Sequence, residues 1–213
     1  MALVLCASVD EPGGRTFSIS YSLIPFPYSL HSQYHLINQA PTMKRLYLMR
    51  HAKSDWNCDW LDDVERPLNE RGKRDAPAMG ALLKQLGYVP DVMISSPASR
   101  AYTTARIVAE EIGYDPGAIR LSEEMYDATT RDIIAVVKAI GSGIRSAMLF
   151  GHNPGLTSTA NLLSGAGIGN VPTAGVVAID LPIESWHDAG DTPGTLLTFE
   201  YPKKNGLVIP DND

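Results

Sequence analysis

The sequence predicts an α/β fold, a three-layer sandwich in which a mainly parallel sheet carries helices on both faces. Short apolar runs of strand length alternate along the chain with longer segments of helical periodicity. A repeated strand–helix order is typical of parallel strands joined by crossover helices. The chain has 213 residues, 44% of them hydrophobic and 20% charged, which suits a domain with a buried core. No apolar run reaches the about 18 residues of a membrane span, so no membrane partner is expected.

Five apolar runs predict the strands. In chain order, 45–49 reads RLYLM, 92–94 reads VMI and 147–150 reads AMLF, and each is apolar enough to be buried on both faces. Segments 176–181 and 196–201 read VVAIDL and LLTFEY, and their β-branched and aromatic residues favour two later strands.

Four segments predict helices, because their apolar residues recur three and four positions apart. They span 69–86, 97–112, 130–140 and 156–163. Gly87 and Gly113 follow the first two helices and are expected to end them. Ser95 or Ser96 is expected to cap the start of the second helix.

Residues 1–42 differ in composition from the rest of the chain. They carry only three charged side chains and are interrupted by serines and prolines, so we expect a poorly ordered extension. The folded domain is predicted over 43–205, with a C-terminal tail over 206–213. Three origins of the extension stay open. It could be a signal peptide, although no basic residue precedes its apolar run, or a transit peptide, although it has a single arginine. Alternatively, translation starts at Met43.

Charge and cysteine content exclude several functions. The net charge of −6 argues against nucleic-acid binding. Cys6 and Cys58 are far apart and form neither a disulfide framework nor a zinc motif, which favours a reducing compartment, the cytoplasm. No metal and no cofactor is predicted, and the oligomeric state stays open.

Polar motifs follow three of the predicted strands directly. Arg50 and His51 follow the first strand, Arg100 comes shortly after the second, and His152 follows the third. The carboxyl ends of parallel strands share one edge of a sheet, so these four side chains are expected to converge. Guanidinium groups suit a phosphate, and two imidazoles offer a nucleophile and a hydrogen-bond donor. The cluster therefore predicts phosphoryl transfer through a phosphohistidine.

The same motifs carry a family resemblance. The segment RHAKS at 50–54 with Asn57, RPLNERG at 66–72, SSPASRA at 95–101 and GHNP at 151–154 together resemble the histidine phosphatase superfamily, which has a phosphoglycerate mutase-like fold. Their particular form is similar to the compact SixA-type phosphohistidine phosphatases. The resemblance covers about residues 43–202.

The resemblance implies a role for each matching residue. His51 would be the nucleophile, and the phosphoryl oxygens would be held by Arg50, Arg100 and His152. Asn57 would assist phosphate binding, or be a simple turn residue. Asp127 is the candidate general acid, with Glu124 as the second choice. The alternative is that all three acids of this segment, Glu123, Glu124 and Asp127, cap or solubilise the start of the third helix. Ala52 replaces the family's usual glycine, so this turn is expected to keep ordinary backbone angles.

The substrate is expected to be phosphohistidine in a protein, because that leaving group can depart as a neutral ring without a strong acid. Only fifty-one residues separate Arg100 from His152, which leaves little room for a lid over the site. A small-molecule phosphomonoesterase is the alternative within enzymes. A phosphoprotein-binding module without turnover is the alternative outside them.

Overall fold

The computed structural model describes residues 43–57 and 60–206. The predicted N-terminal extension, and all of the predicted C-terminal tail except Gly206, lie outside these residues. The described helices and strands are, in chain order, β1 (Lys44–Arg50), α1 (Glu70–Gln85), β2 (Val92–Ser95), α2 (Ser99–Ile112), β3 (Arg120–Leu121), α3 (Thr130–Lys138), β4 (Ser146–Gly151), α4 (Gly155–Ser164), β5 (Val176–Leu181) and β6 (Thr195–Glu200). Short 3-10 turns also occur at Asp63–Glu65, Pro116–Ala118, Glu123–Met125 and Trp186–Asp188.

The strands form one mixed sheet in the order β3-β2-β4-β1-β5-β6. The four strands from β3 to β1 pair in parallel, whereas β5 pairs antiparallel with both β1 and β6. The predicted mainly parallel α/β sandwich is therefore confirmed. The short strand β3 and the antiparallel direction of β5 were not predicted, since an apolar run does not encode which way its strand runs.

Helices cover both faces of the sheet. Successive residues of β1 alternate between the faces, so Leu46 and Leu48 pack with α3 and α4, while Tyr47 and Met49 pack with α1 and α2. All four of these side chains are almost completely buried. The middle of a strand that is buried on both faces must be apolar at successive positions, which is why residues 46–49 read as a continuous hydrophobic run.

The helix ends follow local sequence chemistry in most places. Asn69 caps α1 by accepting a hydrogen bond from the Gly72 amide, and Thr129 forms a capping box with Asp132 at the start of α3. Gly113 ends α2 in the left-handed conformation, as predicted. The predicted start of α2 was wrong, because the helix begins at Ser99.

The predicted serine cap of α2 was also wrong. The helix follows Ala98, which has no side-chain cap, because the two candidate hydroxyls make other contacts. The Ser95 hydroxyl donates to the Ser96 carbonyl. The Ser96 hydroxyl contacts His152 and accepts from the amide of Ala98, which precedes the helix.

The carboxyl ends of the three central parallel strands lie at one edge of the sheet. Arg50 of β1 is in register with Gly151 of β4, and Ser95 of β2 is in register with Phe150. This register places the polar residues that follow each strand beside one another.

Helix α1 packs closely against the loop that follows β1. The Asn69 amide donates to the Lys53 carbonyl at 3.0 Å, and a Cβ at Gly72 would collide with that same oxygen. Only glycine permits this approach of the helix to the loop.

Candidate active site

A polar cavity of about 400 Å³ lies at this edge of the sheet. Its lining residues come from the end of β1, the first turn of α2, and the segments that follow β1, precede α3, follow β4 and precede β5. They are Arg50, His51, Lys53, Ser54, Trp56, Asp63, Arg66, Arg100, Tyr126, Asp127, His152, Asn153 and Thr173. The structure thus brings together the four predicted residues from the strand ends, together with Asp127.

His51 is held in one orientation by the backbone that follows it. Its Nδ1 lies 2.7 Å from the Ala52 carbonyl oxygen, which can only accept, so Nδ1 carries the proton and Nε2 keeps its lone pair. Burial lowers the pKa of His51 to about 3; the bond to Ala52 opposes this shift, and the charges of Arg100 and Arg50 add to it. The imidazole is therefore neutral near pH 7, the state that a nucleophile needs.

His152 lies beside His51, with 5.1 Å between the ring centroids. Its Nε2 is 2.9 Å from the Ser96 hydroxyl, and its Nδ1 is buried without a partner. Burial lowers its pKa to about 4, and the charge of Arg100 contributes. Tyr126 packs edge-on against the ring at 5.8 Å.

The loop after β1 and helix α2 are tied together by Thr104. Its fully buried hydroxyl accepts from the Ala52 amide at 3.0 Å and donates to the Arg100 carbonyl at 2.7 Å. This bridge sets His51 and Arg100 relative to each other, although they are 49 positions apart in the sequence. Ala52 is not among the described residues with positive φ, which confirms the prediction for this turn.

Arg50 and Arg100 each use only part of their hydrogen-bonding capacity. Arg50 donates one Nη1 bond to the Val171 carbonyl, and Arg100 donates to the main-chain and side-chain oxygens of Asp63 at 2.5 and 2.9 Å. The Nε of each guanidinium is buried without a partner. Burial also lowers the pKa of Arg50, because its charge is partly desolvated.

A third arginine, Arg66, joins the cavity and was missed as a site residue. Its Cζ stacks 3.7 Å from the centroid of the Trp56 ring, and its Nη2 pairs with Asp63 at 2.7 Å. An isolated antiparallel β-bridge between Ser54 and Leu68 places the segment that contains Arg66 alongside the loop after β1. The RPLNERG motif was a signal, but Arg66 follows no predicted strand and so was not placed at the shared edge.

Asp63 also lines the cavity and was not predicted from the sequence. Its carboxylate accepts from Arg100 and from the Tyr126 hydroxyl, both at 2.9 Å. Desolvation opposes ionisation, but these hydrogen bonds and the nearby arginines outweigh it, so the pKa of Asp63 is lowered. An ionised carboxylate thus neutralises part of the cationic cavity.

The remaining candidates lie in different places. Asp127 lines the cavity, is exposed, and has φ of 46°, a conformation that Asp tolerates better than most residues. Glu124 is hydrogen-bonded to Ser122 and is not a lining residue. Asn57 is exposed, and its backbone amide donates to the Asp55 side chain. It does not line the cavity, so its phosphate-binding role stays a prediction.

Buried polar atoms without a hydrogen-bond partner concentrate at this cavity. Among the side chains of the described part of the chain there are five such atoms, all nitrogens: Arg50 Nε, Arg66 Nε, Arg66 Nη1, Arg100 Nε and His152 Nδ1. Every one belongs to a residue that lines the cavity. Buried donors are normally satisfied, so this concentration indicates a site built for an anion that accepts several hydrogen bonds.

Two structural features are absent from residues 43–57 and 60–206. No group of three or more His, Cys, Asp or Glu side chains there could hold a metal ion. No helix there is long and apolar enough to cross a membrane.

Comparison with known proteins identifies the family. A family model described as the histidine phosphatase superfamily, branch 1, matches residues 46–127. An uncharacterised chloroplastic protein of Arabidopsis thaliana is 30% identical over 177 residues, which cover 79% of this chain and 79% of that protein. The chain belongs to the histidine phosphatase superfamily.

Solved structures place the chain within the SixA-type branch of that family. A structure from Agrobacterium tumefaciens, provisionally assigned as phosphohistidine phosphatase SixA, is 29% identical with a TM-score of 0.64, covering 77% of this chain and all of that one. The protein histidine phosphatase SixA in complex with tungstate has the same fold, with a TM-score of 0.65 at 20% identity over 76% of this chain and 99% of that one. The fold is phosphoglycerate mutase-like, and the family supports phosphatase activity.

Proposed function

We propose that this protein removes phosphate from phosphohistidine in other proteins, through a phosphohistidine intermediate on His51. The observation that carries the proposal is the set of five buried, unpartnered nitrogens on residues that line the same cavity as His51. A phosphoryl group supplies oxygens that can accept from such donors, and it carries the negative charge that the arginines require.

His51 provides the nucleophile. The Nδ1–H of His51 donates to the Ala52 carbonyl, which leaves the Nε2 lone pair free to attack phosphorus. A new N–P bond forms at Nε2 while the bond between phosphorus and the substrate nitrogen breaks. The departing imidazole keeps that electron pair and leaves as a neutral ring if its other nitrogen is protonated.

Water completes the reaction in a second step. Its oxygen bonds to phosphorus as the bond to His51 Nε2 breaks, giving inorganic phosphate and the neutral imidazole again. In both steps charge on the equatorial oxygens is stabilised by Arg50, Arg100 and His152, with Arg66 as an additional donor. No metal ion takes part in the proposed steps.

A protein substrate is supported by the open surroundings of the cavity. Between Arg100 and His152 the chain forms only the core elements α2, β3, α3 and β4 with short turns. Trp56, which lines the cavity, and Trp60, four positions later in the sequence, are 68% and 79% exposed, and tryptophans are enriched in protein interfaces.

For its location we favour the cytoplasm, as a reducing compartment. The chloroplastic name of the Arabidopsis relative makes a plastid the alternative, which cell fractionation would distinguish.

One observation favours a second function, a small-molecule phosphomonoesterase. Asp127 lines the cavity and could protonate an alkoxide leaving group, which an ester of phosphate requires. Turnover of sugar phosphates that depends on Asp127 would support this function.

The test is phosphate release from a phosphohistidyl carrier protein by the full chain. We expect His51→Ala to abolish release, and to abolish the acid-labile phosphoenzyme that rapid quenching traps in the wild type. His187→Ala is the matched control, because His187 is exposed and does not line the cavity. Equal rates in the wild type and His51→Ala would refute the role of His51. Phosphate-competitive binding without release would indicate a binding module instead.

A further inference from the structure

Ser96 makes a buried contact with His152 that the proposed mechanism has not used. The residue is fully buried directly after β2, and its Oγ lies 2.9 Å from His152 Nε2. The same oxygen accepts a hydrogen bond from the Ala98 amide at 3.3 Å. The hydroxyl therefore already accepts one hydrogen bond and has a proton of its own to donate.

The position of that proton follows from counting donors and acceptors. If His152 donated from Nε2, the Ser96 oxygen would accept twice and its own proton would have no acceptor among the described residues. A buried hydroxyl proton without an acceptor is costly. If Ser96 donates to Nε2, this contact is satisfied and the ring proton must lie on Nδ1, so the Nδ1–H is the one group left without a partner. The other tautomer leaves two groups without a partner, the Ser96 hydroxyl proton and the Nδ1 lone pair.

We propose that Ser96 is a positioning residue whose hydroxyl fixes His152 as the Nδ1–H tautomer, so that His152 donates a hydrogen bond to the phosphoryl group. His152 Nδ1 is the atom that is buried without a partner on a residue lining the cavity. A proton there makes it a donor to an anion, whereas a lone pair there would repel one. The inference rests on the proposed function for its catalytic consequence, but not for the tautomer itself.

The two histidines then share a tautomer and have opposite roles. In His51 the Nδ1–H donates a hydrogen bond to the Ala52 carbonyl, which leaves a nucleophilic lone pair on Nε2. In His152 the lone pair on Nε2 accepts from Ser96, which leaves the Nδ1–H for the substrate. The hydrogen-bonding partner of each ring, the Ala52 carbonyl or the Ser96 hydroxyl, thus decides which ring nitrogen faces the substrate as a lone pair or as a donor.

The direct test reads the tautomer by NMR. Long-range ¹H–¹⁵N correlation spectra of the ¹⁵N-labelled full chain, at about pH 7.5 where a neutral imidazole is expected, separate protonated from unprotonated ring nitrogens. The His152 signals are assigned by their loss in His152→Gln. We expect a protonated Nδ1 in the wild type, and a gain of Nε2 protonation in Ser96→Ala. A protonated Nε2 in the wild type would overturn the proposal without any variant.

Kinetics test the consequence. Loss of one hydrogen bond to His152 is expected to lower the kcat for phosphate release about tenfold in Ser96→Ala, and Ser96→Thr should restore both rate and tautomer. Ser95→Ala is the matched control, since Ser95 is equally buried but its hydroxyl donates to the Ser96 carbonyl. If Ser96→Ala has the same His152 tautomer and the same kcat as the wild type, the inference is refuted. Failure of the proposed function would show separately, as an absence of phospho-His51 in the wild type.

Discussion

Replacing Arg66 with methionine tests whether this arginine binds the phosphoryl group or only supports the loop. The variant keeps an apolar chain to pack against Trp56 but removes the charge and all donors. We expect much weaker binding of oxyanions and slower phosphate release. The fold should persist, because the ion pair to Asp63 involves a side chain that is 49% exposed and such pairs contribute little to stability.

The expected size of the loss follows from the unpartnered donors of Arg66. Its Nε and Nη1 are buried without a hydrogen bond, so donating to a phosphate would require no further desolvation of either nitrogen. A hydrogen bond to a charged group contributes about 1.5–3 kcal/mol, so two at the lower limit contribute about 3 kcal/mol, or about a hundredfold in affinity.

The assay is calorimetric titration with tungstate, a phosphate-like oxyanion, together with kcat/KM on a phosphohistidyl protein. Arg106→Met is the matched control. It removes the same charge from the exposed side of α2, where Arg106 pairs with Glu110 at 3.8 Å. If Arg66→Met and Arg106→Met bind tungstate equally well, the unpartnered nitrogens of Arg66 do not contact the anion and the reasoning is refuted.

Three further predictions concern other parts of the site. Burial lowers the pKa of His51 to about 3 and that of His152 to about 4, so below the usual histidine pKa near 6.5 the unfolded chain binds more protons than the folded chain. The free energy of unfolding should therefore fall as the pH drops from about 6.5 toward 3. Urea unfolding at several pH values should show a smaller decrease of that free energy in His51→Gln than in the wild type. Thr104→Val should lower the free energy of unfolding by about 1–3 kcal/mol and slow phosphate release, because a buried amide loses its acceptor. Thr159→Val, which loses only a hydrogen bond within α4, should lower the free energy of unfolding by less than Thr104→Val. Equal decreases in the two variants would contradict the bridging role of Thr104. Asp127→Asn, which tolerates the same backbone angles, should slow hydrolysis of alkyl phosphates more than that of phosphohistidine; equal slowing would argue against an acid.

Much of the fold was predictable because it depends on local patterns. The β1 segment must be apolar at successive positions to be buried on both faces, and α3 begins where Thr129 and Asp132 form a capping box. These properties involve residues close in sequence. The direction of β5 does not, because an apolar strand can pair with β1 either way, and only the path of the intervening chain decides.

The site divides in the same way. The convergence of Arg50, His51, Arg100 and His152 could be predicted because each lies at or shortly beyond the carboxyl end of a parallel strand, and those ends share one edge. The sequence alone was sufficient for that. It also indicated the family through motifs whose spacing reflects this edge.

Tertiary structure alone decided the rest of the site. Arg66 joins the cavity by stacking on Trp56 and pairing with Asp63, contacts that no periodicity encodes. Ser96 looked like a helix cap, but its hydroxyl meets a histidine 56 positions later. A hydroxyl near a helix start can accept from the local backbone and still donate to a distant partner, as Ser96 does with the Ala98 amide and His152. Only the folded chain decides which distant group comes within reach of the hydroxyl.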